Sequence, residues 1–371
     1  MIRSNPIDPD VRVTKEAQTL ADVGYDVNIL GWDRGKKNPR IECRSNFLIH
    51  RIKLKAPLGI KIIFYLPLWW IYEFIWLLKE KWDIVHASDF DTFIPALIAA
   101  KIKKKPIIYD IYDFYADVVT LPKLLRWITA KIDKFFMKFA SAVIIVDKSI
   151  LKQIGGYINN YIVIIMNTPQ DIFKNIKLEK KPDNEKDVFT IFYLGGIYKT
   201  RYPNLDKIIL SIKGMKDVEL IIGGYADDNT INELKKNMEN IKNAKFIGKI
   251  TDEEAIKYTI NADLLFALYD PSGLSNRYLS PNKLFEAMMY AKPILVSENS
   301  TMAEIVRENN YGIVVNCRDV KEIKEAIIKL KNNPELCEQL GKNARKAYDK
   351  NYNWQIMEQR LLDLYDKLLN C

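Results

Sequence analysis

The sequence contains few of the residues that build disulfide frameworks and zinc sites. Its 371 residues include four cysteines, and none of the four stands at a paired spacing. Neither a disulfide framework nor a zinc knuckle is supported, and a reducing, cytoplasmic setting is expected. No order of serine, histidine and aspartate, or of cysteine and histidine, supports the chemistry of a covalent hydrolase.

Long apolar runs without charge are also lacking. No stretch of about 18 uncharged apolar residues is present to form a membrane-spanning helix, and the start of the chain lacks the pattern of a signal peptide. The aromatic run 59–78 is interrupted by Lys61, Pro67 and Glu73. This run predicts either a buried helix pair or an interfacial segment that lies in a membrane surface.

Positive charge is concentrated in the first half of the chain. Residues 1–175 hold 26 Lys and Arg against 18 Asp and Glu, a balance of +8, whereas residues 176–371 hold 30 against 29, a balance of +1. The first half therefore either faces an anionic partner or carries a solvated basic surface. Nucleic acid is the least favoured partner, because the aromatic residues lie in apolar runs and are not interleaved with cations.

Residues 123–139 form a second candidate membrane segment. Their apolar side chains recur at helical spacing, and five cations lie elsewhere around the helix. Such a basic amphipathic helix is either an ordinary surface helix of the domain or one that binds anionic lipid.

Strand-like apolar runs alternate with helical stretches, which predicts an α/β protein with doubly wound parallel sheets. The polar residues 174–187 interrupt this pattern, and it starts again at Val188. We therefore predict two Rossmann-like domains, residues 1–173 and 188–353, that face each other across a cleft, with a final helix, 354–371, that packs back on the first. The predicted strands cover residues 25–30, 83–86, 106–109, 142–146, 161–165, 188–194, 218–222, 245–247, 264–267, 294–296 and 313–315.

The first helix is predicted close to the start of the chain. Residues 10–23 have helical periodicity and stop at Gly24, and a parallel α/β domain normally begins with a strand before such a helix. Only Met1 and Ile2 precede Arg3, and no apolar run is available there. The first strand is therefore expected to be absent or displaced.

Two glycine-ended strands in the second half indicate a site for a nucleotide. Gly195-Gly196 follows one predicted strand, and Lys199 and Arg201 come next, where two cations suit a diphosphate. Gly223 closes the next strand, where glycine permits the close approach of a base or a ribose.

Residues 280–292 predict a short helix with Ser280 as its N-cap. Asn282 and Glu286 share one face near its amino-terminal end, and Lys283 adds a positive charge. The backbone N–H groups there suit a phosphate, and Glu286 can accept hydrogen bonds from sugar hydroxyls. The alternative is an ordinary amphipathic helix with a cap.

Polar residues also end two strands of the first half. His86 stands at the end of one strand, as either a structural residue or an active-site group. Asp89 and Asp91 follow with the spacing of a metal-binding pair, a pattern that often arises by chance, and no metal is expected. Asp110 and Asp113 end the next strand on the same side.

These segments resemble the family 4 retaining glycosyltransferases of the GT-B fold, over nearly the whole chain. The segments that carry the resemblance are Asp8 to Gly24, Val85 to Asp89, Tyr109 to Asp113, Asn167 to Pro169, Gly195-Gly196 with Lys199 and Arg201, and, most specifically, Ser280 to Ala287. The sequence departs from the family at Tyr278, where the first of two glutamates usually stands, and at Tyr112, where a histidine is frequent.

The resemblance implies transfer of a sugar, with retention, from a nucleoside-diphosphate sugar to a hydroxyl acceptor, without a metal or a separate cofactor. The implied donor-site residues are Gly196, Lys199, Arg201, Gly223, Ser280, Asn282, Lys283 and Glu286. His86, Asp110 and Asp113 would line the acceptor side. The aromatic and basic segments suggest a glycan or lipid acceptor at the inner face of a membrane. The main alternative is a non-catalytic glycosyltransferase-like subunit that binds lipid or a partner enzyme. A nucleotide-sugar epimerase is a second, less favoured alternative.

Overall fold

A computed structural model describes residues 1–370 except 9, 58, 119–120, 157–158, 160, 172–187 and 199–201. The chain divides into two compact units. Unit 1 comprises Met1–Asn167 and Gln355–Cys371, and unit 2 comprises Thr168–Trp354. The predicted linker, 174–187, lies outside the described residues.

Unit 1 is built on an eight-stranded sheet in the order β3-β4-β2-β1-β5-β6-β7-β8. Its strands are β1 (Ile2–Arg3), β2 (Asn28–Trp32), β3 (Ile41–Arg44), β4 (Phe47–Ile52), β5 (Val85–Ser88), β6 (Ile107–Ile111), β7 (Ala142–Ile145) and β8 (Ile162–Ile164). Its helices are α1 (Val11–Asp22), α2 (Leu66–Lys79), α3 (Phe90–Lys103), α4 (Tyr115–Val118), α5 (Lys123–Met137) and α6 (Ser149–Ile154), and it also contains α15 (Trp354–Leu369) from Gln355 onward.

The first strand is present, which corrects the expectation that it is absent or displaced. Ile2 is fully buried and pairs in parallel with Leu30 of β2 and with Ala87 of β5, so β1 lies in the middle of the sheet. The amide of Leu30 donates to the carbonyl of Met1 at 2.9 Å, and the amide of Trp32 donates to the carbonyl of Asn5 at 2.9 Å. Two residues suffice for this strand because its neighbours on both sides hold it.

One pair of strands was not expected from the sequence. β3 pairs antiparallel with β4, and the two form the edge of the sheet. β3 is exposed or half-buried along its length and contains Glu42, Cys43 and Arg44, so it lacks the apolar run that marks the central parallel strands.

The aromatic segment 59–78 forms a 3-10 turn, Ile60–Phe64, followed by the single helix α2, and not a helix pair. α2 buries Trp69, Glu73 and Leu77. The Trp69 ring stacks on that of Trp32, with centroids 5.4 Å apart. None of the helices in the described part of the chain has both the length and the apolar character needed to cross a membrane.

Unit 2 has a six-stranded, fully parallel sheet in the order β11-β10-β9-β12-β13-β14. Its strands are β9 (Phe189–Gly196), β10 (Val218–Tyr225), β11 (Ala244–Gly248), β12 (Leu264–Ala267), β13 (Ile294–Ser297) and β14 (Gly312–Val315). Its helices are α7 (Leu205–Ser211), α8 (Asp228–Met238), α9 (Asp252–Asn261), α10 (Leu274–Arg277), α11 (Asn282–Met289), α12 (Thr301–Asn309), α13 (Val320–Lys331) and α14 (Pro334–Ala347), and a π-helical turn, Tyr348–Tyr352, follows.

Candidate functional site

The carboxyl ends of β9 and β10 form a ledge of glycines in unit 2. Gly195 pairs with Gly224, and Gly196 pairs with Tyr225. Gly224 has a φ of +136°, and a Cβ there would lie 1.9 Å from the carbonyl oxygen of Gly195. Gly223, two residues before the end of β10, pairs with Leu194, whose Cδ1 would be 3.0 Å from a Cβ at Gly223. Only glycine fits at position 224, so the two strands approach each other without an intervening side chain.

Two exposed tyrosines border this ledge. Tyr198 is 47% exposed and Tyr225 is 55% exposed, and their rings meet edge to face with centroids 5.7 Å apart. The Tyr198 hydroxyl donates to the Tyr225 hydroxyl at 2.5 Å. Sequence reasoning missed both residues, although each closely follows a glycine pair at the end of a strand.

Helix α11 begins and ends differently from the prediction. Its N-cap is Pro281 and not Ser280, and no side chain caps it. The helix ends at Met289 and not at Lys292, because Ala291 takes a φ of +54° and the amide of Lys292 donates to the carbonyl of Ala287 at 2.8 Å. This closure of the carboxyl end leaves about two helical turns.

The start of α11 brings a cation to the end of β9. The Lys283 Nζ lies 4.5 Å from the centroid of the Tyr193 ring. A Cβ built on Gly195 would lie 2.4 Å from the same nitrogen, so the ammonium group stands directly against the glycine ledge. Helix start, ammonium group and glycine backbone together offer a positive surface that suits a diphosphate.

Two further donor-site residues predicted from the sequence, Asn282 and Glu286, also belong to α11. Asn282 is exposed at the first position of α11, and Glu286 is half-buried one turn later. Burial raises the pKa of Glu286 above its ordinary value, and the charge of Lys283 acts in the opposite direction. Lys199 and Arg201 lie outside the described residues.

In unit 1, His86 and Asp110 lie together in a buried cluster. The His86 side chain is 1% exposed, its Nδ1 is hydrogen-bonded to the Tyr365 hydroxyl at 2.9 Å, and its Nε2 lies 3.4 Å from Asp110. Arg12 pairs with Asp110 at 2.9 Å and with Glu16 at 3.1 Å. Sequence reasoning missed Arg12, Glu16 and Tyr365 because they come from α1 and from α15, far from β5 and β6 along the chain.

Burial controls the protonation of this cluster. It lowers the pKa of His86 below its ordinary value, against the opposing effect of Asp110. It raises the pKa of Glu16 to about 8, although the charge of Arg12 acts to lower it. Burial also acts to raise the pKa of Asp110, but the charge of Arg12 and the contact with His86 hold that pKa below its ordinary value. Near neutral pH the cluster therefore holds a neutral His86, a protonated Glu16 and an Arg12–Asp110 ion pair.

The same cluster has the spacing of a metal site. One ligand atom from each of Glu16, His86 and Asp110 lies within 4.8 Å of the others. Arg12 already pairs with the ionised Asp110 there and also contacts Glu16. The residues thus form a compensated set without requiring an ion.

Asp113, two residues after the end of β6, is half-buried, whereas the residues of this cluster are buried. Beside it, the Tyr112 ring lies under two guanidinium groups, that of Arg3 at 4.2 Å and that of Arg12 at 4.7 Å from its centroid. Asp89 pairs with Arg3 and accepts a hydrogen bond from the amide of Tyr112 at 3.1 Å. Arg3 and Asp89 thus form an ion pair beside Tyr112, and the ring of Tyr112 stacks with the guanidinium groups of Arg3 and Arg12.

Two family profiles match the chain in succession. Glycosyltransferase Family 4 matches residues 10–167, and Glycosyl transferases group 1 matches residues 174–347. Together the matches extend over most of unit 1 and most of unit 2.

Individual proteins that are similar to this chain are also named as glycosyltransferases. An uncharacterised glycosyltransferase of Methanocaldococcus jannaschii is 28% identical, over 79% of this chain and 77% of its own. The N,N'-diacetylbacillosaminyl-diphospho-undecaprenol alpha-1,3-N-acetylgalactosaminyltransferase of Campylobacter jejuni is 22% identical, over 95% of this chain and 88% of its own. The crystal structure of HepE of Anabaena, in complex with UDP and glucose, superposes with a TM-score of 0.70 at 13% identity, over 99% of this chain and 98% of that one. This last likeness shows the fold.

Proposed function

The chain belongs to the group 1, family 4 glycosyltransferases, and on that premise we propose that it transfers a sugar from a nucleoside-diphosphate sugar to a hydroxyl acceptor with retention of configuration. The fold is GT-B, as the sequence predicts. The observation that carries the donor proposal is the position of Lys283, at the start of α11 and against the glycine ledge of β9.

In the proposed reaction, the bond between the sugar C1 and the diphosphate oxygen breaks, and a bond from C1 to the acceptor oxygen forms. The acceptor hydroxyl gives its proton to the leaving phosphate oxygen or to solvent, and the nucleoside diphosphate leaves with the electron pair of the broken bond. The start of α11 and Lys283 would stabilise that charge without a metal. Lys199 and Arg201, from the predicted diphosphate motif, would add to it.

The remaining donor contacts follow from the same placement. Glu286, one turn into α11, would accept hydrogen bonds from the ribose hydroxyls, and Asn282 would contact the phosphates. The glycine ledge at Gly196 and Gly223 would admit the nucleoside at backbone distance. HepE of Anabaena was crystallised with UDP, which supports a nucleoside diphosphate as the ligand class.

For the acceptor we propose a glycan or a lipid-linked glycan at the inner face of a membrane. The name of the Campylobacter jejuni relative gives a diphospho-undecaprenol-linked acceptor, which supports this class. Of the three acceptor-side residues, Asp113 is the accessible one and would face the acceptor. His86 and Asp110 would support the ends of β5 and β6 from within their buried cluster.

A second candidate function is a non-catalytic glycosyltransferase-like subunit that binds lipid or a partner enzyme. The residues Tyr278 and Tyr112 favour it, because they replace the glutamate and the histidine of the resemblance.

A thermal-shift screen against UDP-, GDP- and dTDP-sugars, followed by NMR of the reaction products, tests the proposal. We expect one nucleotide sugar to raise the melting temperature and to release its nucleoside diphosphate, with an axial donor bond giving an axial product bond. Binding without release of the diphosphate would favour the non-catalytic subunit, and inverted products would contradict retention.

A further inference from the structure

Three helices of unit 1 lie in one layer. α3 connects β5 to β6, and α5 lies in the connection from β6 to β7, so right-handed crossovers place both helices on the same face of the sheet. α2 packs against α3, and side chains of all three helices join one apolar core cluster. Their outer sides therefore belong to the same side of unit 1.

The outer side of α5 is apolar, which reverses the arrangement of an ordinary surface helix. Leu124 is 68% exposed, Trp127 is 59% exposed and Phe135 is 55% exposed. The inner side instead buries Asp133 and Met137. The Tyr109 hydroxyl of β6 donates to the Asp133 carboxylate at 2.9 Å, and this contact fixes which side of the helix faces the sheet.

α2 and α3 continue the apolar exposure. Phe64, just before α2, is 78% exposed, and Ile102 near the end of α3 is 59% exposed. The outer apolar surface, as we define it, comprises Phe64, Leu68, Ile71, Tyr72, Ile75, Leu78, Ile98, Ile102, Leu124, Leu125, Trp127, Ile128, Ile132, Phe135 and Phe139. Soluble monomers rarely expose this many large apolar side chains on one side.

Cations predominate among the charges that border the outer apolar surface, although Glu80 is exposed at the end of α2. Lys123, Lys131 and Lys138 are exposed on and just after α5, whose one acidic residue, Asp133, is buried. Lys101 and Lys104 are exposed at the end of α3. Apolar side chains next to exposed cations complement a bilayer surface that carries anionic headgroups.

We propose that the outer apolar surface docks on a bilayer that contains anionic phospholipid, with Leu124, Trp127 and Phe135 entering the interface. This inference deepens the proposed function, because it names the surface by which the enzyme reaches a membrane-bound acceptor. It rests on the proposed function for its biological meaning, but lipid binding can be measured without any sugar transfer.

Co-sedimentation with vesicles tests the proposal. The full chain is mixed with vesicles of phosphatidylcholine alone and with vesicles that also contain phosphatidylglycerol, at low and at high salt. We expect at least roughly tenfold stronger binding to the anionic vesicles, weakened by salt. The double variant Trp127→Ser with Phe135→Ser should bind roughly tenfold more weakly, since it removes two interfacial aromatic side chains. Leu210→Ser, at an apolar position of α7 that is 47% exposed in unit 2, is the matched control and should bind like the parent chain.

Three outcomes would overturn the proposal. These are equal binding to both vesicle types, unchanged binding of the double variant, and a parent dimer that the double variant converts to a monomer in sedimentation velocity. The last would show that a second copy covers the surface. Circular dichroism and UDP titration on the same preparations keep the result separate from the donor proposal. Weakened vesicle binding with intact nucleotide binding is expected for the double variant, whereas a parent chain that binds vesicles but no nucleotide would contradict the donor proposal alone.

Discussion

The Lys283 ammonium nitrogen of α11 lies 4.5 Å from the centroid of the Tyr193 ring of β9. Lys283 is the second residue of α11, so this contact links the start of the helix to β9. It also places the ammonium group against the backbone of Gly195. Ligands of open α/β sheets bind at this edge, so the pair marks the place where a phosphate group would meet both a cation and the start of a helix.

Replacing Lys283 by Ala should weaken nucleoside-diphosphate binding about tenfold or more, because a charge-assisted contact to phosphate is lost. Lys283→Arg should keep most of the affinity. Lys235→Ala, at an exposed position of α8 in the same unit, is the control and should bind normally. Titration calorimetry measures all three variants, and equal affinities for Lys283→Ala and Lys235→Ala would remove Lys283 from the donor site.

Gly224→Ala should destabilise unit 2 by about 3 kcal/mol, because it combines a positive φ with a backbone collision. The new Cβ would lie 1.9 Å from the carbonyl oxygen of Gly195. Gly273→Ala is the matched control, since the nearest atom to a Cβ there, the Asn276 Nδ2, lies 3.9 Å away. Chemical denaturation gives the free energies of unfolding, and similar losses for both variants would contradict the tight approach of β9 and β10.

Tyr365→Phe should cost about 1–2 kcal/mol, because it leaves the buried Nδ1 of His86 without its partner. Tyr25→Phe is the comparison, as it removes a solvent-exposed hydrogen bond to Asp366 on the same helix, α15. The free energy of unfolding should fall clearly less in Tyr25→Phe than in Tyr365→Phe. If denaturation shows the reverse order, His86 is not held by α15 in the way that the structure describes.

The stability of unit 1 should depend on pH through Glu16. Because its pKa is raised from 4.5 to about 8 in the folded chain, the folded chain keeps a proton that the unfolded chain loses. Its contribution is therefore fully present at low pH and is lost as the pH rises toward about 8. Glu16→Gln mimics the protonated form, so its stability relative to the parent chain should increase over that range. Denaturation at several pH values measures this, and a difference that does not change with pH would count against a protonated Glu16.

The central parallel strands β5, β6, β7, β12 and β13 could be predicted from the sequence because they are buried along their whole length and form continuous apolar runs. β12 has the predicted bounds, Leu264–Ala267, and α15 begins at Trp354, as predicted for the final helix, but ends at Leu369. β3 could not be found in this way, because Ile41 is 63% exposed and the rest of the strand is polar. β1 is held by its neighbours and not by its own composition.

The side of α5 that is exposed and the contacts of His86 could not be predicted from the sequence. The periodicity of residues 123–139 predicts a helix with one apolar side, but it cannot decide whether that side faces the sheet. The contact between Asp133 and Tyr109 decides it, and both partners must be placed before it is visible. Likewise, His86 and Tyr365 are 279 positions apart in the chain, so no local spacing indicates their hydrogen bond.

The central claim is that unit 2 binds the nucleoside diphosphate of a sugar donor through α11. Calorimetric titration of the parent chain and of Glu286→Ala with UDP and GDP tests it most directly, with Glu308→Ala on α12, an exposed position, as the control. The proposed function predicts that the parent and the control bind at least one of the two nucleotides and that Glu286→Ala binds it about tenfold more weakly, with an unchanged melting temperature. If the parent chain and Glu286→Ala bind UDP with the same affinity and also bind GDP with the same affinity, the claim is contradicted.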